Sequence, residues 1–225
     1  MDEKTKIKYI AAFTYGDGYI GYHGKNCRFQ ANNIIDNKDY IEWRASILEN
    51  ITRVTMTTNR DDRENRRTII KTFTMTHPIY TRVHSRFYLN GTKVIDPHYL
   101  KLLDWETMAI WYMDDGSLRV IKQDYKENYY EYLVPTLSTN CFTYGDQELI
   151  KKAVKERLGV EFNINKHSKN KAGEQTYLMA LQRSSADKFL ENVSPYILPS
   201  FMYKISPYVE PITGNADGGE TVRSN

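Results

Sequence analysis

A short phrase occurs twice in this chain, nearly half a chain apart. The first copy is AAFTYGDG, which ends in Asp17-Gly18, and the second is AIWYMDDG, which ends in Asp115-Gly116. In each copy an apolar run with small residues ends in an acid followed by glycine. A second copy at this distance predicts two similar halves, each the size of a small domain, and suggests that the two acids are partners.

The composition narrows the class of protein. With 225 residues, of which 40% are hydrophobic and 26% charged, the chain is typical of a globular protein, and its net charge of +3 neither requires nor excludes nucleic acid. No apolar run approaches the roughly 20 residues that cross a bilayer, and the N-terminus lacks a signal-peptide pattern. We therefore expect an intracellular protein that is not secreted and has no membrane partner. The only cysteines, Cys27 and Cys141, are expected to be reduced.

Helix and strand patterns recur in the same order in both parts of the chain. An apolar helix precedes each acid, and a strand pair, a helix, a second strand pair and a further helix follow it. Asp104 is placed to cap the second apolar helix. The sequence therefore predicts an α+β fold of two tandem α-β-β-α-β-β-α halves, 1–98 and 99–212. A polar, Gly-rich tail at 213–225 is expected to be disordered.

One strand of the first half alternates between apolar and polar residues. Its polar members are Arg28, Gln30 and Asn32, and period-two alternation places them on one face. Side chains of these types can bond to base edges. Basic residues also cluster at two predicted hairpin tips. The alternative to a binding role is that these tips are ordinary solvent-exposed loops. The clusters are Arg60, Arg63, Arg66, Arg67 and the nearby Lys71 in the first half, and Lys166, Lys169 and Lys171 in the second.

The paired acids point to a metal site. Taken singly, Asp-Gly is a common turn signal, but both copies follow a buried-helix pattern. Small residues such as Ala11, Ala12 and Ala109 allow two helices to approach closely, which brings Asp17 and Asp115 together at two negative helix ends. A protein keeps such an arrangement when a cation occupies it. Mg²⁺, with Mn²⁺ as the expected substitute, suits two carboxylates together with carbonyl, water and phosphate oxygens.

The two phrases resemble the paired motifs of the LAGLIDADG homing endonucleases in their monomeric, two-motif form. The segments PHYLKLLDWETMAIWYMDDGSL, LSTNCFTYGDQELI and SPYILPSFMYKISP extend the resemblance over most of the second half, and the first half matches more thinly. The resemblance implies that Asp17 and Asp115 are metal ligands. It also implies that the backbone carbonyls of Gly16 and Asp114 join the metal site. The first motif has Thr14-Tyr15 where the family commonly has aliphatic residues and an acid.

Family members often place a basic residue near each metal site, where it activates water or stabilises the leaving group. The resemblance assigns this catalytic role to Lys204 in the second half. In the first half Lys93 is the best counterpart, and Lys71 is its rival. The alternative for each lysine is an ordinary solvated surface residue.

The resemblance further implies how DNA is held and cut. Two four-stranded antiparallel sheets form a saddle over double-stranded DNA, and a central pair of motif helices lies between them. Arg28, Gln30 and Asn32 are the first candidates for base contacts, the basic clusters are candidates for phosphate contacts, and Arg119 on a second-half strand is a further DNA-binding candidate. The expected substrate is a long, imperfectly palindromic site, cut in both strands to leave short 3′ overhangs.

Three alternatives stay open at this stage. The first is an RNA maturase that assists intron splicing with intron RNA as its partner, since the same family contains such proteins. The second is a DNA-binding protein of this fold that no longer cleaves, although the presence of both acids argues against it. The third is a structural protein without a ligand, which leaves the paired acids unexplained. An intein is disfavoured, and whether the gene lies free or inside an intron is open.

Overall fold

The computed structural model of the chain describes residues 1–59, 67–125, 128–207 and 209. The first half consists of helix α1 (Glu3–Tyr15), strands β1 (Tyr19–His23) and β2 (Asn26–Ile34), helix α2 (Lys38–Glu49), strands β3 (Val54–Asn59) and β4 (Ile69–Thr74), and helix α3 (Pro78–Phe87). A short hairpin, β5 (Tyr88–Leu89) and β6 (Thr92–Lys93), and the one-turn helix α4 (Pro97–Leu100) connect it to the second half. The sequence patterns had not predicted this connection.

The second half repeats the order of the first. It consists of helix α5 (Trp105–Asp115), strands β7 (Gly116–Tyr125) and β8 (Asn128–Leu137), helix α6 (Tyr144–Leu158), strands β9 (Phe162–Lys169) and β10 (Gln175–Leu181), and helix α7 (Arg183–Val193). Two 3₁₀ helices, Ser194–Tyr196 and Pro199–Lys204, follow it. The predicted α-β-β-α-β-β-α order is confirmed in both halves. The predicted tail, 213–225, lies outside the described residues.

Each half forms one four-stranded antiparallel sheet with the same connectivity. The strand orders are β1-β2-β4-β3 and β7-β8-β10-β9. In each sheet one face packs against helices and the other face stays open. On β2, for example, Cys27, Phe29 and Ala31 are buried, whereas Arg28 and Gln30 are only half-buried on the opposite face. The α+β fold with antiparallel sheets is therefore confirmed.

The helices α1 and α5 pack side by side at the centre of the molecule. Ala11, Ala12 and Ala109 are all buried at this contact region, because small side chains let the two backbones approach. Tyr15 and Trp111 stack across the helix pair with ring centroids 4.8 Å apart and planes 19° apart. Such an aromatic pair contributes about 0.5–1.5 kcal/mol beyond the area that it buries.

Polar contacts fix the N-terminal end of α5 against the middle of α1. The Lys8 ammonium pairs with Asp104 at 2.9 Å and with Glu106 at 2.8 Å. The side chain of Asp104 also accepts from the backbone N–H of Thr107, and Thr107 bonds back to the N–H of Asp104, which forms the predicted cap as a capping box. The helix pair is thus held at both ends of α5, by Lys8 at its start and by the Tyr15–Trp111 stack in its second half.

Candidate active site and nucleic-acid interface

The two Asp-Gly pairs end the central helices by close backbone packing. The Gly18 N–H donates to the Phe13 carbonyl at 2.8 Å, and the Gly116 N–H donates to the Tyr112 carbonyl. A Cβ added to either glycine would stand 2.3 Å from that same carbonyl oxygen. Glycine is required here because the chain turns tightly from the helix into the first strand of each sheet. The Asp-Gly pairs are therefore helix-to-strand junctions and not hairpin turns.

Asp17, Asp114 and Asp115 converge where the two helices end. The backbone N–H of Asp17 donates to Oδ2 of Asp114 at 3.2 Å, which joins the two motifs directly. Oδ2 of Asp115 accepts from the indole N–H of Trp111 in its own helix at 3.2 Å. Asp17 is exposed and Asp115 is half-buried. The first motif is thus bonded to Asp114, the residue next to Asp115 in the second motif.

The electrostatics of this acidic cluster are unfavourable in the protein alone. Burial raises the pKa of Asp115 to about 6, and the nearby Asp17 charge raises it as well. Asp17 reaches solvent, but the packed groups around its carboxyl remove part of its hydration and raise its pKa, while the charges of Arg44, Lys204 and Lys93 lower it. For Asp114, burial raises the pKa to about 7. Carboxylates held in this way at two negative helix ends attract a cation.

Two lysines flank the acids in nearly equivalent ways. The Nζ of Lys93, on β6, donates to the carbonyl of Gly16 at 2.9 Å and to that of Gly18 at 3.3 Å. The Nζ of Lys204 donates to the carbonyl of Met113 at 2.5 Å and to that of Asp114 at 3.3 Å. Lys204 is only 8% exposed. Burial lowers the pKa of both lysines, which makes proton release from either ammonium easier than from a solvated lysine.

These contacts distinguish Lys93 from its rival, Lys71. Lys93 bonds to the loop of the first acid, whereas Lys71 lies on β4, opposite Asn32 in the open face of the sheet. The carbonyls of Gly16 and Asp114, expected as metal ligands, each accept a lysine N–H in this structure. A carbonyl oxygen has two lone pairs, so one remains available on each.

The open face of the first sheet collects the polar residues that the alternation predicted. Antiparallel pairing sets Tyr19 opposite Gln30 and Gln30 opposite Phe73, and directly paired residues share a face. The face borders a cleft of about 650 Å³ that extends to the first acid. Its lining residues are Asp17, Tyr19, Arg28, Gln30, Ala31, Asn32, Lys71 and Phe73.

The open face of the second sheet differs from the sequence expectation at one point. Lys166 pairs opposite Tyr177, whose ring contacts Tyr144 of α6 at 5.0 Å. Lys166 therefore shares the helix-packed face, and the open face here carries Asn163 and Asn165 instead. The cause is the alternation along β9, in which Lys166 follows Phe162 and Ile164 at every second residue and so lies on their face of the sheet.

The other predicted DNA-contact residues lie on the second sheet, at a hairpin tip and beside Asp36, and three of them lie outside the described residues. Arg119, on β7, pairs opposite Val134 on the open face of the second sheet. Lys169 and Lys171 lie exposed at the β9–β10 tip. Arg67 is exposed and lies 3.7 Å from Asp36, measured between Nη1 and Oδ2. Arg60, Arg63 and Arg66 lie outside the described residues.

Sequence reasoning missed a buried basic residue beneath the acids. Arg44 of α2 is 0% exposed, and its Nη2 donates to Oδ1 of Asn33 on β2. The signal was present in the chain: Arg44 stands three residues after the buried Ile41 and four before the buried Leu48, on the apolar stripe of its helix. Asn33 likewise continues the apolar alternation of Cys27, Phe29 and Ala31.

Side chains alone do not supply enough ligands to hold a metal ion at this site. Among the described residues, no group of three or more His, Cys, Asp or Glu side chains is arranged to hold a metal ion. Two carboxylates of raised pKa with nearby backbone carbonyls fit a hard divalent cation that takes its other ligands from water and substrate phosphates. Both cysteines are free thiols, as expected. No helix in the described part of the chain is long and apolar enough to cross a bilayer.

Comparison with known proteins gives consistent matches. Residues 15–189 match the LAGLIDADG DNA endonuclease family. Probable intron-encoded endonuclease 1 of Wickerhamomyces canadensis is 27% identical over 212 residues, which cover 91% of this chain and 84% of that protein. Cytochrome b mRNA maturase bI2 of Debaryomyces hansenii is 29% identical over 143 residues, which cover 64% of this chain and 48% of the maturase. The chain thus spans about half the length of the first curated relatives that it matches.

The fold has a solved counterpart. The structure of the homing endonuclease I-WcaI bound to its DNA recognition sequence superposes with a TM-score of 0.69 at 22% sequence identity. The match covers 91% of this chain and 87% of that one. At this identity the likeness establishes the fold.

Proposed function

Because the chain belongs to the LAGLIDADG DNA endonuclease family, we propose that it is a homing endonuclease that cuts both strands of a long, imperfectly palindromic DNA site as a monomer. The proposed activity is metal-dependent phosphodiester hydrolysis that leaves short 3′ overhangs. The observation that supports it best is the convergence of Asp17 with Asp114 and Asp115, from opposite halves, beside the buried Lys204 and the half-buried Lys93.

Each part of the site has a distinct task in this proposal. Asp17 and Asp115 hold a divalent cation, Mg²⁺ or Mn²⁺, with the free lone pairs of the Gly16 and Asp114 carbonyls as further ligands. When bound, the cation supplies Lewis acidity and a water of lowered pKa. Lys93 and Lys204 lie against the loops that bear the two acids, where an ammonium stabilises negative charge on the phosphate or leaving oxygen.

The open faces of the two sheets would receive the duplex. On the first sheet Arg28, Gln30 and Asn32 present forked donors and acceptors of the kind that read base edges in the major groove. Lys71 and Arg119 supply positive charge on the same faces, and the cations at the hairpin tips extend the contact to the backbone. This division predicts base readout near the sheet centres and phosphate binding at their ends.

The proposal is tested by selecting a cut site from a pooled library of long duplexes, with and without Mg²⁺, and sequencing the ends. The expected result is metal-dependent double-strand cutting at one long site with 3′ overhangs. Tight binding to duplex DNA without cutting under any divalent metal would instead indicate a non-cleaving binder. The maturase similarity favours intron RNA as the second candidate substrate. Absence of duplex binding, together with saturable binding of a structured intron RNA, would favour that reading.

Substituting Lys71 by alanine is expected to weaken duplex binding, whereas Lys166→Ala is expected to leave it unchanged. Both lysines lie on strands, but only Lys71 shares the open face with Asn32. Removing one phosphate contact should lower the slope of log affinity against log salt by about 0.9. Titrations at several salt concentrations measure this slope. Equal losses from the two variants would mean that the open face is not the DNA surface.

Mg²⁺ is expected to raise the melting temperature more at pH 8 than at pH 5. The folded-state pKa of Asp115 is about 6, against 3.8 for an unperturbed carboxyl, so this ligand is mostly protonated at pH 5 and cannot hold a cation. Without metal the sign reverses: ionising the buried carboxyl destabilises the fold as the pH rises from about 4 through 6. Thermal melts across this range, with Asp115→Asn as the control that removes the titrating group, measure both trends. A metal-induced shift that does not vary with pH would contradict the assignment.

A further inference from the structure

A buried polar cluster lies between the first sheet and the end of the second motif helix. Arg44 is fully buried, with its guanidinium carbon 5.0 Å from the ring centre of Tyr40 and its Nη2 bonded to Asn33. Nε and Nη1 of Arg44 and Oδ1 of Asp114 are buried without a hydrogen-bond partner among the described residues. A buried charge is costly unless another charge compensates it, and the two groups in this cluster have opposite charges.

Arg44 acts electrostatically on both acids of this junction. After burial, which raises the pKa of each carboxyl, the Arg44 charge is the largest opposing influence, and it lowers the pKa of Asp114 and of Asp17. Asn33 and Tyr40 hold the guanidinium from the first half, while Asp114 belongs to the second half. Arg44 thus belongs to the first half and Asp114 to the second, and the charge of Arg44 acts across the boundary between them.

Asp114 has a position that no residue of the first motif can share. Gly16 is its equivalent in the first copy of the phrase. A Cβ on Gly16 would stand 2.3 Å from Oδ2 and 2.5 Å from Cβ of Asp114. The carboxylate of Asp114 thus occupies the space that a side chain at position 16 would need. From this position it accepts a hydrogen bond from the backbone N–H of Asp17 at 3.2 Å.

We propose that Asp114 and Arg44 are positioning residues: Asp114 holds the backbone of Asp17 from the opposite half, and Arg44 supplies the buried counter-charge that keeps Asp114 in place. The inference rests on the proposed function, in which Asp17 binds the reacting centre. It gives the side chain of Asp114 a task separate from that of its backbone carbonyl. It also explains why the first motif has glycine at the equivalent position.

The proposed restraint acts on Asp17 and not on Asp115, and this difference makes it testable. The carboxylate of Asp115 accepts an N–H from Trp111 in its own helix, whereas the equivalent of Trp111 in the first motif is Phe13, which has no donor. The first acid is therefore held across the two halves and the second within its own helix. Loss of Arg44 should disturb Asp17 more than Asp115, so the two strands should be cut at unequal rates.

The first measurement is amide hydrogen exchange of the metal-free protein by NMR, which does not depend on activity. We expect Asp114→Ala to speed exchange at the Asp17 amide at least about tenfold, and Arg44→Met to do so to a smaller extent. Asp114→Asn keeps an acceptor oxygen and should retain most of the protection. Lys8→Met breaks another contact between the halves, at the N-terminal end of α5, and should leave the Asp17 amide unchanged.

The second measurement follows the two strands of a labelled duplex that carries the selected site. Arg44→Met is expected to slow one strand by about 10–100-fold, the range seen when the supporting partner of a metal ligand is lost, and the other by much less, so that nicked DNA accumulates. Arg44→Lys keeps the positive charge and should bring the cutting rates of the two strands closer together than in Arg44→Met. Lys8→Met should cut both strands in the wild-type ratio.

Unchanged exchange at Asp17 in Asp114→Ala, or equal slowing of both strands in Arg44→Met, would overturn the inference. If Arg44→Met fails to fold, Arg44→Lys and Asp114→Asn provide the same comparison. If the protein cuts no DNA, the proposed function fails, but the exchange measurement still decides whether Asp114 holds the Asp17 backbone.

Discussion

Asp115→Asn and Asp17→Asn are each expected to abolish double-strand cutting, with a rate loss of roughly 10³-fold or more, while duplex binding stays within a few-fold of wild type. Each acid lies at the proposed metal site and outside the row of base-reading side chains on the first sheet. Asparagine is nearly the same size as aspartate but lacks the negative charge that holds a cation. Catalysis and binding should therefore separate in these variants.

The same substitutions are expected to stabilise the metal-free protein. Burial raises the pKa of Asp115 to about 6, so at neutral pH its ionised form opposes folding, and a neutral amide removes that penalty. Thermal melts at pH 7.5 without metal measure this gain. The matched control is Asp124→Asn, an exposed acid on β7, which should change neither cutting nor stability. Retained cutting in either active-site variant would disprove the paired-acid mechanism.

Lys204→Met is expected to lower the cutting rate by about 10²–10³-fold without a comparable loss of binding, an effect of the size seen when one group that stabilises transition-state charge is removed. The Nζ of Lys204 lies 2.5 Å from the Met113 carbonyl and 3.3 Å from that of Asp114. Methionine fills a similar volume, which separates loss of the ammonium from loss of packing. Single-turnover cutting and a binding titration at the same salt concentration measure the two effects.

Lys93→Met should give a comparable loss if the two lysines act as a pair. The control is Lys188→Met on α7, because the Nζ of Lys188 also donates to a backbone carbonyl, that of Gly159 at 3.1 Å, and is far from the acids in the sequence. A normal rate in Lys204→Met would remove this residue from the mechanism. A normal rate in Lys93→Met would return Lys71 to consideration for the first half.

The repeated phrase, together with the helix and strand patterns that follow each copy, was sufficient to predict two halves of the same order. Each copy of the phrase forms an apolar helix with small residues. Two such helices in one chain can bury their surfaces against each other, and α1 and α5 pack in this way. The reason for the glycines was not visible in the sequence. Both are required by contact with a helix carbonyl, which is a three-dimensional constraint that an Asp-Gly turn signal does not distinguish.

Other parts of the site depend on information that local patterns lack. The face of Lys166 follows from its alternation with Phe162 and Ile164, whereas the extension of β9 to Lys169, which keeps Lys166 within the strand, is not marked by a local pattern. Lys93 reaches the acids only because a two-residue strand pair, β5 and β6, returns the chain to α1. Arg44 could have been found, since a charged residue on an apolar helix stripe predicts a buried polar partner, and Asn33 on the apolar face of β2 is that partner.

The Gly16–Asp114 contact has a consequence for any attempt to rebuild this molecule from identical parts. A dimer of two second halves would bring two aspartate side chains into a space that holds one, with a second negative charge and no glycine to make room. A dimer of two first halves would lack the carboxylate that holds the Asp17 amide. The two halves are thus complementary and not interchangeable, because the Asp114 side chain of the second half needs the space that Gly16 of the first half leaves open. An exchange of halves between related enzymes would have to move positions 16 and 114 together.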